Sequence, residues 1–292
     1  MNPVPILERL PEDYSVERGD RGVLAMRRDC APSLRAAGYG LDSDGGTRTS
    51  RLSGRKPLLE LPTPAGMFLI RRFSHGGLLR FLTGERFHDA SRPFRELAAA
   101  ASLARAGVNT PQVAAARARA APGWGWKLEI VTRQVEDAID LDGVLAAARE
   151  RAIPRDALRR LARAAGKLVR EMHDAGCFHA DLTTKNLLVE RAALSGGSSR
   201  MWILDLDRAR AGEGLSLEER IANLTRLYRY VSRREGDLAA ALARTDWMRF
   251  LSGYEPDRAR IVTTARAILS AHGKSLRWHA LGWRLENLFS GR

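Results

Sequence analysis

The chain has 292 residues, of which 45% are hydrophobic and 28% are charged, so it can bury a sizeable core and wholesale disorder is excluded. Its 48 lysines and arginines outnumber its 34 aspartates and glutamates, and the net charge of +14 predicts attraction to polyanions such as nucleic acid, an anionic membrane surface or a phosphorylated substrate. Two cysteines exclude a disulfide framework and a four-thiolate zinc site, and they favour a reducing compartment.

The first 50 residues carry little hydrophobic periodicity. Gly, Asp, Ser and Arg are frequent there, and the stretch at 38–50 is typical of a loop. We therefore predict that residues 1–50 form a loosely ordered N-terminal extension outside the core. A chain of this length is expected to form two lobes or two small domains, at about 100–200 residues each.

The segment after this extension predicts a β-hairpin, a helix and two further strands. The helix signals are the clearest, because Ser91 and an early proline precede an Ala-rich run that closes at Gly107. Apolar runs on both sides of a Pro- and Gly-containing turn predict the hairpin. The expected elements are hairpin strands at 57–61 and 67–70, a helix over 91–106, and strands over 108–116 and 126–132.

Helices dominate the rest of the chain. Two of them are predicted at about 140–150 and 154–175. A loop then leads into two apolar strands joined by a Gly/Ser turn, and the second strand stops at Asp205. From 216 to 292, Leu and Ile alternate with Arg at helical spacing. The element order therefore predicts an α+β fold with a sheet-rich first part and a helical second part.

Three polar residues around the two apolar strands carry the strongest chemical signal. Asp181 lies in the loop, Asn186 follows five residues later, and Asp205 ends the second strand. Phosphoryl transfer from a nucleotide needs a carboxylate that orients the attacking hydroxyl and accepts its proton, and oxygen ligands that hold magnesium across the phosphates. The strand–turn–strand pattern places all three at one edge of a small hairpin. The alternative is that Asp181 caps the loop and Asn186 is a turn residue.

Six segments of the chain carry the motifs of a known enzyme family, in that family's order. They are Leu69–Leu78, Pro93–Glu96, Gly107–Pro111, Ile130–Gln134, His179–Val189 and Ile203–Asp207. Together they resemble the bacterial lipopolysaccharide core kinases, namely the 3-deoxy-D-manno-octulosonic acid (Kdo) kinases and the core heptose kinases. The resemblance covers about residues 53–230. It implies a two-lobed protein-kinase-like fold, with a small β-rich N-lobe at 51–133 and a larger helical C-lobe at 134–292.

The resemblance also assigns roles to individual residues. Asp181 matches the catalytic base, and Asn186 and Asp205 match the magnesium ligands, so that ATP and Mg²⁺ are the implied cofactors. Gly54 and Arg55 match the loop that covers the nucleotide, although a single glycine stands where a fuller Gly-rich loop is usual.

Two further pairs match the nucleotide-binding part of a kinase. The strand position that holds a Lys in protein kinases holds Arg71, as in Kdo kinases, and its expected partner is Glu96 of the helix. A guanidinium can make a bidentate contact with a phosphate or a carboxylate. The alternative is two unconnected surface charges. Thr132 and Arg133 match the hinge, whose backbone N–H and C=O groups read the adenine edge.

Other basic and titratable residues near these motifs have more than one interpretation. Lys185 can neutralise the charge of the transferring phosphoryl group, or it can simply be solvated. Arg72 and the turn at His75–Gly77 are candidates for gripping an anionic sugar acid. His173 and His179 fit no zinc-site spacing, so we expect both to pack in the structure.

The resemblance implies an acceptor sugar attached to lipid A, which is an anionic amphiphile. The C-terminal run places Trp278, Leu281, Leu285 and Leu288 on one helical face, which fits either an anionic membrane surface or docking on the protein's own domain.

No window reaches the ~20 apolar residues of a membrane span, and the first residues lack a secretory signal pattern. We therefore expect a cytoplasmic protein, peripheral at the inner membrane, without a nucleic-acid partner; the sequence does not indicate an oligomeric state.

Two other classes of function stay open at this level. One is a kinase of the same fold acting on an aminoglycoside, a choline-like molecule or a protein. Aminoglycosides are cations that a chain of charge +14 repels unless its site is locally acidic, and a protein kinase would carry a Lys at position 71 and an Ala-Pro-Glu segment beyond Asp205. The other is a basic nucleic-acid-binding or scaffold protein on a degenerate kinase fold, against which the absence of an RNA-recognition signature argues. A coding bias towards Arg and Ala would also explain the charge.

Overall fold

A computed structural model describes residues 5–50, 58–75, 85–197, 199–212, 214–233 and 242–289, with side chains described through residue 273 except that of residue 244. The chain divides into two compact units. The first contains Met1–Glu136 and Leu206–Ala209, and the second contains Asp137–Asp205 and Arg210–Arg292.

The first unit is built on an antiparallel sheet whose seven described strands have the order β1-β2-β6-β7-β5-β4-β3. The strands are β1 Tyr14–Gly19, β2 Gly22–Arg27, β3 Arg48–Thr49, β4 Leu59–Thr63, β5 Gly66–Arg72, β6 Val113–Ala120 and β7 Trp126–Arg133. Two helices accompany them, α1 Ala31–Ala36 and α2 Arg92–Arg105.

Local sequence signals account for the centre of this unit. The predicted hairpin is present as β4 and β5, which pair from Leu59 with Ile70 to Thr63 with Gly66. Helix α2 follows Ser91 with a proline in its first turn, and it ends before Gly107, whose φ of +79° suits a residue without a Cβ. The strand predicted over 108–116 instead occupies Val113–Ala120, because a proline at position 111 cannot donate to a strand ladder.

The N-terminal segment differs from the prediction of a loosely ordered extension. Strands β1 and β2 extend the sheet next to β6, and helix α1 covers one face of it. Met26, Leu34 and Tyr39 are buried in the same cluster as Phe68 and Val131, so this segment forms much of the unit's core. Five of the six residues of β2 are buried, and a strand buried on both faces lacks the polar–apolar alternation that identifies a strand in the sequence.

A buried arginine fastens the turn after α1 to the sheet. Arg117 is only 1% exposed; its Nε lies 3.0 Å from Glu129 Oε2, and its Nη1 donates to the Ser43 carbonyl at 2.7 Å. Arg72 joins the same network, with its Nε 2.9 Å from Glu129 Oε1 and its Nη2 2.7 Å from Asp44 Oδ2. The structure therefore engages Arg72 in holding this turn, and its predicted role as an anion grip stays a prediction.

The second unit is mostly helical. Its helices are α3 Leu141–Arg149, α4 Arg155–Asp174, α5 Leu217–Arg233, α6 Arg244–Tyr254 and α7 Arg258–Phe289. Its strands are β8 Ala138–Asp140, β9 Cys177–Phe178, β10 Leu187–Glu190, β11 Met201–Ile203 and β12 Arg210–Ala211. A three-stranded sheet has the order β11-β10-β8, and β9 pairs with β12.

These elements follow the predicted order of helices, loop, two apolar strands and helices. Helix α3 is capped by Asp140, whose side chain accepts from the Gly143 N–H at 2.7 Å. The backbone of α7 is helical to Phe289, while the side chains of the predicted Trp- and Leu-containing face lie outside the described residues. Among the residues that the structure describes, none of the helices combines the length and the apolar character needed to span a membrane.

Helices α4 and α6 approach each other closely at two glycines. A Cβ built on Gly166 would lie 1.9 Å from the Phe250 carbonyl oxygen, and one built on Gly253 would lie 2.0 Å from the Arg163 carbonyl oxygen. Neither backbone oxygen can move away without shifting a whole helix, so the two glycines fix how closely these helices pack.

We expect Gly166→Ala to lower the free energy of unfolding by about 1–3 kcal/mol or more, because the added methyl group forces the helices apart. Chemical denaturation measures this change. Gly273→Ala is the matched control, since among the described residues no atom outside its own stretch of helix lies within 4 Å of the Cβ position of Gly273. There the higher helix propensity of Ala should leave stability unchanged or raise it by up to about 1 kcal/mol. Equal effects at both positions would contradict the close-packing argument.

Candidate active site

The first unit contains the ion pair expected from the nucleotide-binding motifs. Arg71 of β5 points towards α2, where its Nη2 lies 2.6 Å from Glu96 Oε1. Glu96 is buried at 7% exposure, and the Arg71 guanidinium lies 4.6 Å from the centre of the Phe73 ring. The two charges are therefore a connected, partly desolvated pair, and the alternative of unconnected surface charges does not hold.

The residues matched to the hinge are part of the sheet. Strand β7 runs through Arg133, whose N–H donates to the Gln112 carbonyl at 2.9 Å, and the Gln134 N–H donates to the Met67 carbonyl at 3.0 Å. The Arg133 side chain donates to the Ala65 carbonyl at 2.6 Å. The N–H groups of Arg133 and Gln134 are thus already used within the sheet, and the hinge role of Thr132 and Arg133 stays a prediction.

The loop matched to the nucleotide cover, with Gly54 and Arg55, lies outside the described residues.

The second unit brings together the three residues expected to carry the chemistry. Asn186 Nδ2 donates to the Asp181 carbonyl at 2.7 Å, which leaves the side-chain carbonyl oxygen of Asn186 as its remaining acceptor. The Leu204 N–H donates to the Asn186 carbonyl at 2.9 Å, so Asn186 and Asp205 lie at the same end of the β10–β11 hairpin. Asp205 has a φ of +55°, a left-handed conformation that few residues other than glycine adopt.

This donor set fits a magnesium ion that is shared with phosphates. Mg²⁺ prefers oxygen ligands and usually binds proteins through one or two carboxylates together with substrate phosphates. Asp205 and the Asn186 carbonyl oxygen supply ligands of that kind. Within the described ranges, no three His, Cys, Asp or Glu side chains cluster as an all-protein metal site would require.

Asp181 forms an ion pair that the sequence did not indicate. Its Oδ1 lies 2.6 Å from Nη2 of Arg226 on helix α5, and both side chains are nearly half exposed. Among the described residues, Asp181 Oδ2 has no hydrogen-bond partner. One carboxylate oxygen is therefore held in place, and the other can accept a proton from a substrate hydroxyl.

Lys185 forms an ion pair at the start of helix α3. Its Nζ lies 3.9 Å from Asp142 Oδ2, and the same oxygen accepts from the Tyr230 hydroxyl at 3.1 Å. Thr184 Oγ1 donates to Asp142 Oδ1. Asp142 thereby anchors the 3₁₀ turn before β10, while the Lys185 side chain stays about half exposed.

Two buried histidines, His173 and His179, support the loop that contains Asp181 through hydrogen bonds. The ring of His179 accepts from the Asp181 N–H through Nδ1 at 3.1 Å and contacts the Leu204 carbonyl through Nε2 at 2.9 Å. Asn223 of α5 donates to the His179 carbonyl at 2.7 Å, and its Oδ1 lies 3.0 Å from His173 Nε2. Both histidines therefore act as packing and hydrogen-bonding residues that join the Asp181 loop to the end of β11.

Burial keeps these histidines neutral. It lowers the pKa of His173 to about 4, against a partial upward effect of the Asn223 hydrogen bond, and it also lowers the pKa of His179. A histidine in the unfolded chain has a pKa near 6.5. The stability that neutral His173 contributes is therefore present above about pH 6.5 and is lost as the pH falls towards 4.

We expect the wild-type protein to lose about 2 kcal/mol of unfolding free energy between about pH 7.5 and pH 5 through His173 alone. Urea denaturation at the two pH values measures this loss. His173→Gln should be less stable at the higher pH, because a fitted buried ring is removed, but it should show a smaller drop on acidification. The same pH-dependent drop in both proteins would contradict the assignment.

The segment after Asp205 is tied to the first unit. Asp207 Oδ1 lies 2.7 Å from Arg92 Nε at the start of α2, and the Arg92 guanidinium lies over the rings of Phe73 and Phe87. This pair belongs entirely to the first unit, which includes Leu206–Ala209. The Arg92–Asp207 pair holds the side chain two residues beyond Asp205 in place.

A phosphotransferase with a kinase fold has three such parts. They are an Arg–Glu pair between a strand and a helix, a loop that contains an Asp, and a hairpin end that carries an Asn and an Asp. The comparison with family models gives the particular family. Residues 77–254 match the lipopolysaccharide kinase (Kdo/WaaP) family, and the chain belongs to it. It is therefore a kinase, and membership of this family implies ATP as the phosphoryl donor.

Individual relatives agree with this assignment. The 3-deoxy-D-manno-octulosonic acid kinase of Photobacterium profundum is 30% identical over 193 residues, which cover 64% of this chain and 75% of that protein. The enzyme of the same name from Actinobacillus succinogenes is 28% identical over 190 residues, covering 64% and 74%. The solved structure of WaaP in complex with acyl carrier protein is 22% identical, covers 78% of this chain and 86% of that one, and superposes with a TM-score of 0.55. That likeness confirms the predicted kinase-like α+β fold.

Proposed function

We propose that this chain transfers the γ-phosphoryl group of ATP to a hydroxyl of an inner-core lipopolysaccharide sugar, Kdo or heptose, attached to lipid A. The observation that carries the proposal is the convergence of Asp181, Asn186 and Asp205 at the hairpin end, in a chain of the lipopolysaccharide kinase family. The relatives named as Kdo kinases favour a sugar acid as the acceptor.

Each residue of the constellation has a role in this reaction. Asp181, held by Arg226 at one oxygen, orients the acceptor hydroxyl and takes its proton at the other. Asn186 and Asp205 would hold Mg²⁺, which when bound neutralises charge on the phosphates. Lys185, next to Asn186, adds positive charge towards the transferring group.

The Arg71–Glu96 pair holds the nucleotide phosphates in this proposal. Glu96 orients the guanidinium of Arg71, and a guanidinium binds phosphate oxygens well. Gly54 and Arg55 cover the nucleotide, and the backbone at Thr132 and Arg133 reads the adenine edge.

The acceptor also determines where the enzyme works. A sugar on lipid A lies at a membrane surface that carries negative charge, and a chain of net charge +14 is attracted to such a surface. We therefore include a cytoplasmic location with peripheral contact at the inner membrane in the proposal.

The experiment is a phosphoryl-transfer assay with labelled ATP, Mg²⁺ and purified protein. The acceptors are Kdo-bearing lipid A and heptosylated core lipid in micelles of a nonionic detergent, with an aminoglycoside and a protein mixture as competing classes. We expect label in one of the two lipids and in neither competitor. Transfer to neither lipid, or faster transfer to an aminoglycoside or protein, would overturn the proposal.

A further inference from the structure

A largely buried carboxylate outside the proposed catalytic constellation joins three elements of the second unit. Asp142 lies in the first turn of helix α3, and its side chain is 11% exposed. Its Oδ1 accepts from the hydroxyl of Thr184, and its Oδ2 accepts from the hydroxyl of Tyr230 on α5 at 3.1 Å. Lys185 Nζ lies 3.9 Å from the same Oδ2. Helix α3, helix α5 and the 3₁₀ turn Thr184–Asn186 therefore meet at this one side chain.

The turn that Asp142 contacts carries Asn186, the proposed magnesium ligand. The Asn186 N–H donates to the Thr183 carbonyl at 3.1 Å, which closes the turn, and the Asn186 carbonyl accepts from the Leu204 N–H at 2.9 Å. The backbone of Asn186 is thus held by the turn on one side and by the chain after β11 on the other. A protein ligand has to lie within about 0.2 Å of its ideal distance from a metal ion. A small shift of the turn therefore takes the side-chain oxygen of Asn186 away from a coordinating position.

Helix α5 supports the same loop at successive points. At 3.6 residues per turn, three of its residues fall within an arc of about 60°, namely Asn223, Arg226 and Tyr230. The first contacts the loop at His179, and the second contacts it at Asp181. The third donates to Asp142, which in turn contacts the turn before β10. Asp142 thus extends to the end of the loop the support that α5 gives directly to its beginning.

We propose that Asp142 is a positioning residue for phosphoryl transfer, which acts through the turn to hold Asn186 in place for magnesium. This inference rests on the proposed function. A carboxylate suits this task because both of its oxygens accept hydrogen bonds, so that one holds the hydroxyl of the turn and the other holds the hydroxyl of α5. Its negative charge also attracts the ammonium group of Lys185, the neighbour of Asn186.

The test is Asp142→Asn, which keeps the size of the side chain but replaces one acceptor oxygen by an NH₂ donor. The probe is Mg²⁺, titrated with a nonhydrolysable ATP analogue present, and the readout is the rise in Tm. We expect the Mg²⁺ concentration that gives half of this rise to increase about 10–100-fold, as for other residues that orient a metal ligand. With the lipid acceptor, kcat at the Mg²⁺ concentration that saturates the wild type should fall, while the KM for the acceptor stays near wild type. An unchanged Mg²⁺ requirement overturns the inference.

A second variant breaks the same contact from the other side. Thr184→Val removes the hydroxyl that Asp142 accepts from, and it should raise the Mg²⁺ requirement in the same direction. In the double variant the two shifts should not multiply, because both substitutions remove one interaction. If Asp142→Asn does not fold, Thr184→Val alone decides. Shifts that multiply, or a Thr184→Val variant with the Mg²⁺ requirement of the wild type, contradict a role exerted through the turn.

Asp140→Asn is the matched control. It removes the same charge two residues earlier on the chain, and Asn caps a helix as well as Asp does, so the bond from the Gly143 N–H is kept. The Mg²⁺ requirement of this variant should stay within about twofold of the wild type. An increase equal to that of Asp142→Asn would mean that any charge lost at the start of α3 has this effect, and the positioning role falls.

Amide hydrogen exchange of the nucleotide-free protein tests the link to the turn without metal. In Asp142→Asn, exchange should be faster over 184–187 and unchanged in helix α4. A variant that is less stable throughout but keeps the wild-type Mg²⁺ requirement has lost a structural contact alone, which overturns the inference.

The exchange and Mg²⁺ measurements use no acceptor, so they separate this inference from the proposed function. If they give the expected shifts but no lipid is phosphorylated, the positioning role stands and only the proposed acceptor fails. A wild-type protein whose nucleotide-induced rise in Tm does not depend on Mg²⁺ overturns the positioning role, whatever the activity.

Discussion

Asp181→Asn is expected to lower kcat by about 10²–10⁴-fold, while the KM for ATP stays near that of the wild type. The amide keeps the size of the side chain, and its oxygen can still accept from Arg226, but it cannot take a proton from the acceptor hydroxyl. Steady-state kinetics with the lipid acceptor measure both constants. A loss confined to kcat is the signature of a group that acts in the transition state.

The control for this variant is Asp156→Asn, which neutralises an exposed carboxylate of helix α4 that pairs with Arg159. It should leave both constants within about twofold, because an exposed ion pair contributes little to stability. Thermal unfolding of the two variants should match the wild type. Activity of Asp181→Asn within a few-fold of the wild type would show that another group is the base.

The parts of the fold that follow from short sequence signals were predictable. The hairpin of β4 and β5 is specified by its turn residues, and helix α2 by Ser91, its early proline and Gly107. The two N-terminal strands were not predictable. The apolar pattern of β2 reflects burial on both faces, and that burial exists only once the strand has paired with β6.

The candidate site likewise has a part that local sequence order predicts and a part that it does not. Asp181, Asn186 and Asp205 lie within one loop and one hairpin, so their order along the chain indicates their proximity. Asn223 and Arg226 contact that loop from a helix more than 40 residues away, and no local pattern connects them with it. The sequence offers only a polar Asn between Ala222 and Leu224, and its burial is seen in the structure alone.

Strand alternation explains why two adjacent arginines have different partners. Arg71 and Arg72 are neighbours in β5, and successive side chains of a strand point to opposite faces. Arg71 meets Glu96 of α2, whereas Arg72 meets Glu129 and Asp44 in the network of Arg117. Two adjacent arginines that look equivalent in the sequence therefore serve a nucleotide-side pair and a structural network, respectively.

Asp205→Ala and Asp205→Asn are expected to lower turnover by about 10³-fold or more, because charge neutralisation at the phosphates contributes several kcal/mol. The two variants differ in the backbone. At a φ of +55°, Asn tolerates the left-handed conformation much as Asp does, whereas Ala does not, so only the Ala variant should melt below the wild type without nucleotide.

Nucleotide binding gives the second measurement for Asp205. At about 100 times its Kd, Mg-ATP should stabilise the wild type by about 2.7 kcal/mol and raise its Tm, and this rise should be much smaller in both variants. Chelation of magnesium with EDTA should reduce the wild-type shift to that of the variants. The Asn variant excludes backbone strain as the cause, since it retains the conformation but not the charge. Equal nucleotide-induced shifts in all three proteins would place the magnesium site away from Asp205, and the hairpin end would then be a structural feature rather than the phosphate-binding part of the enzyme.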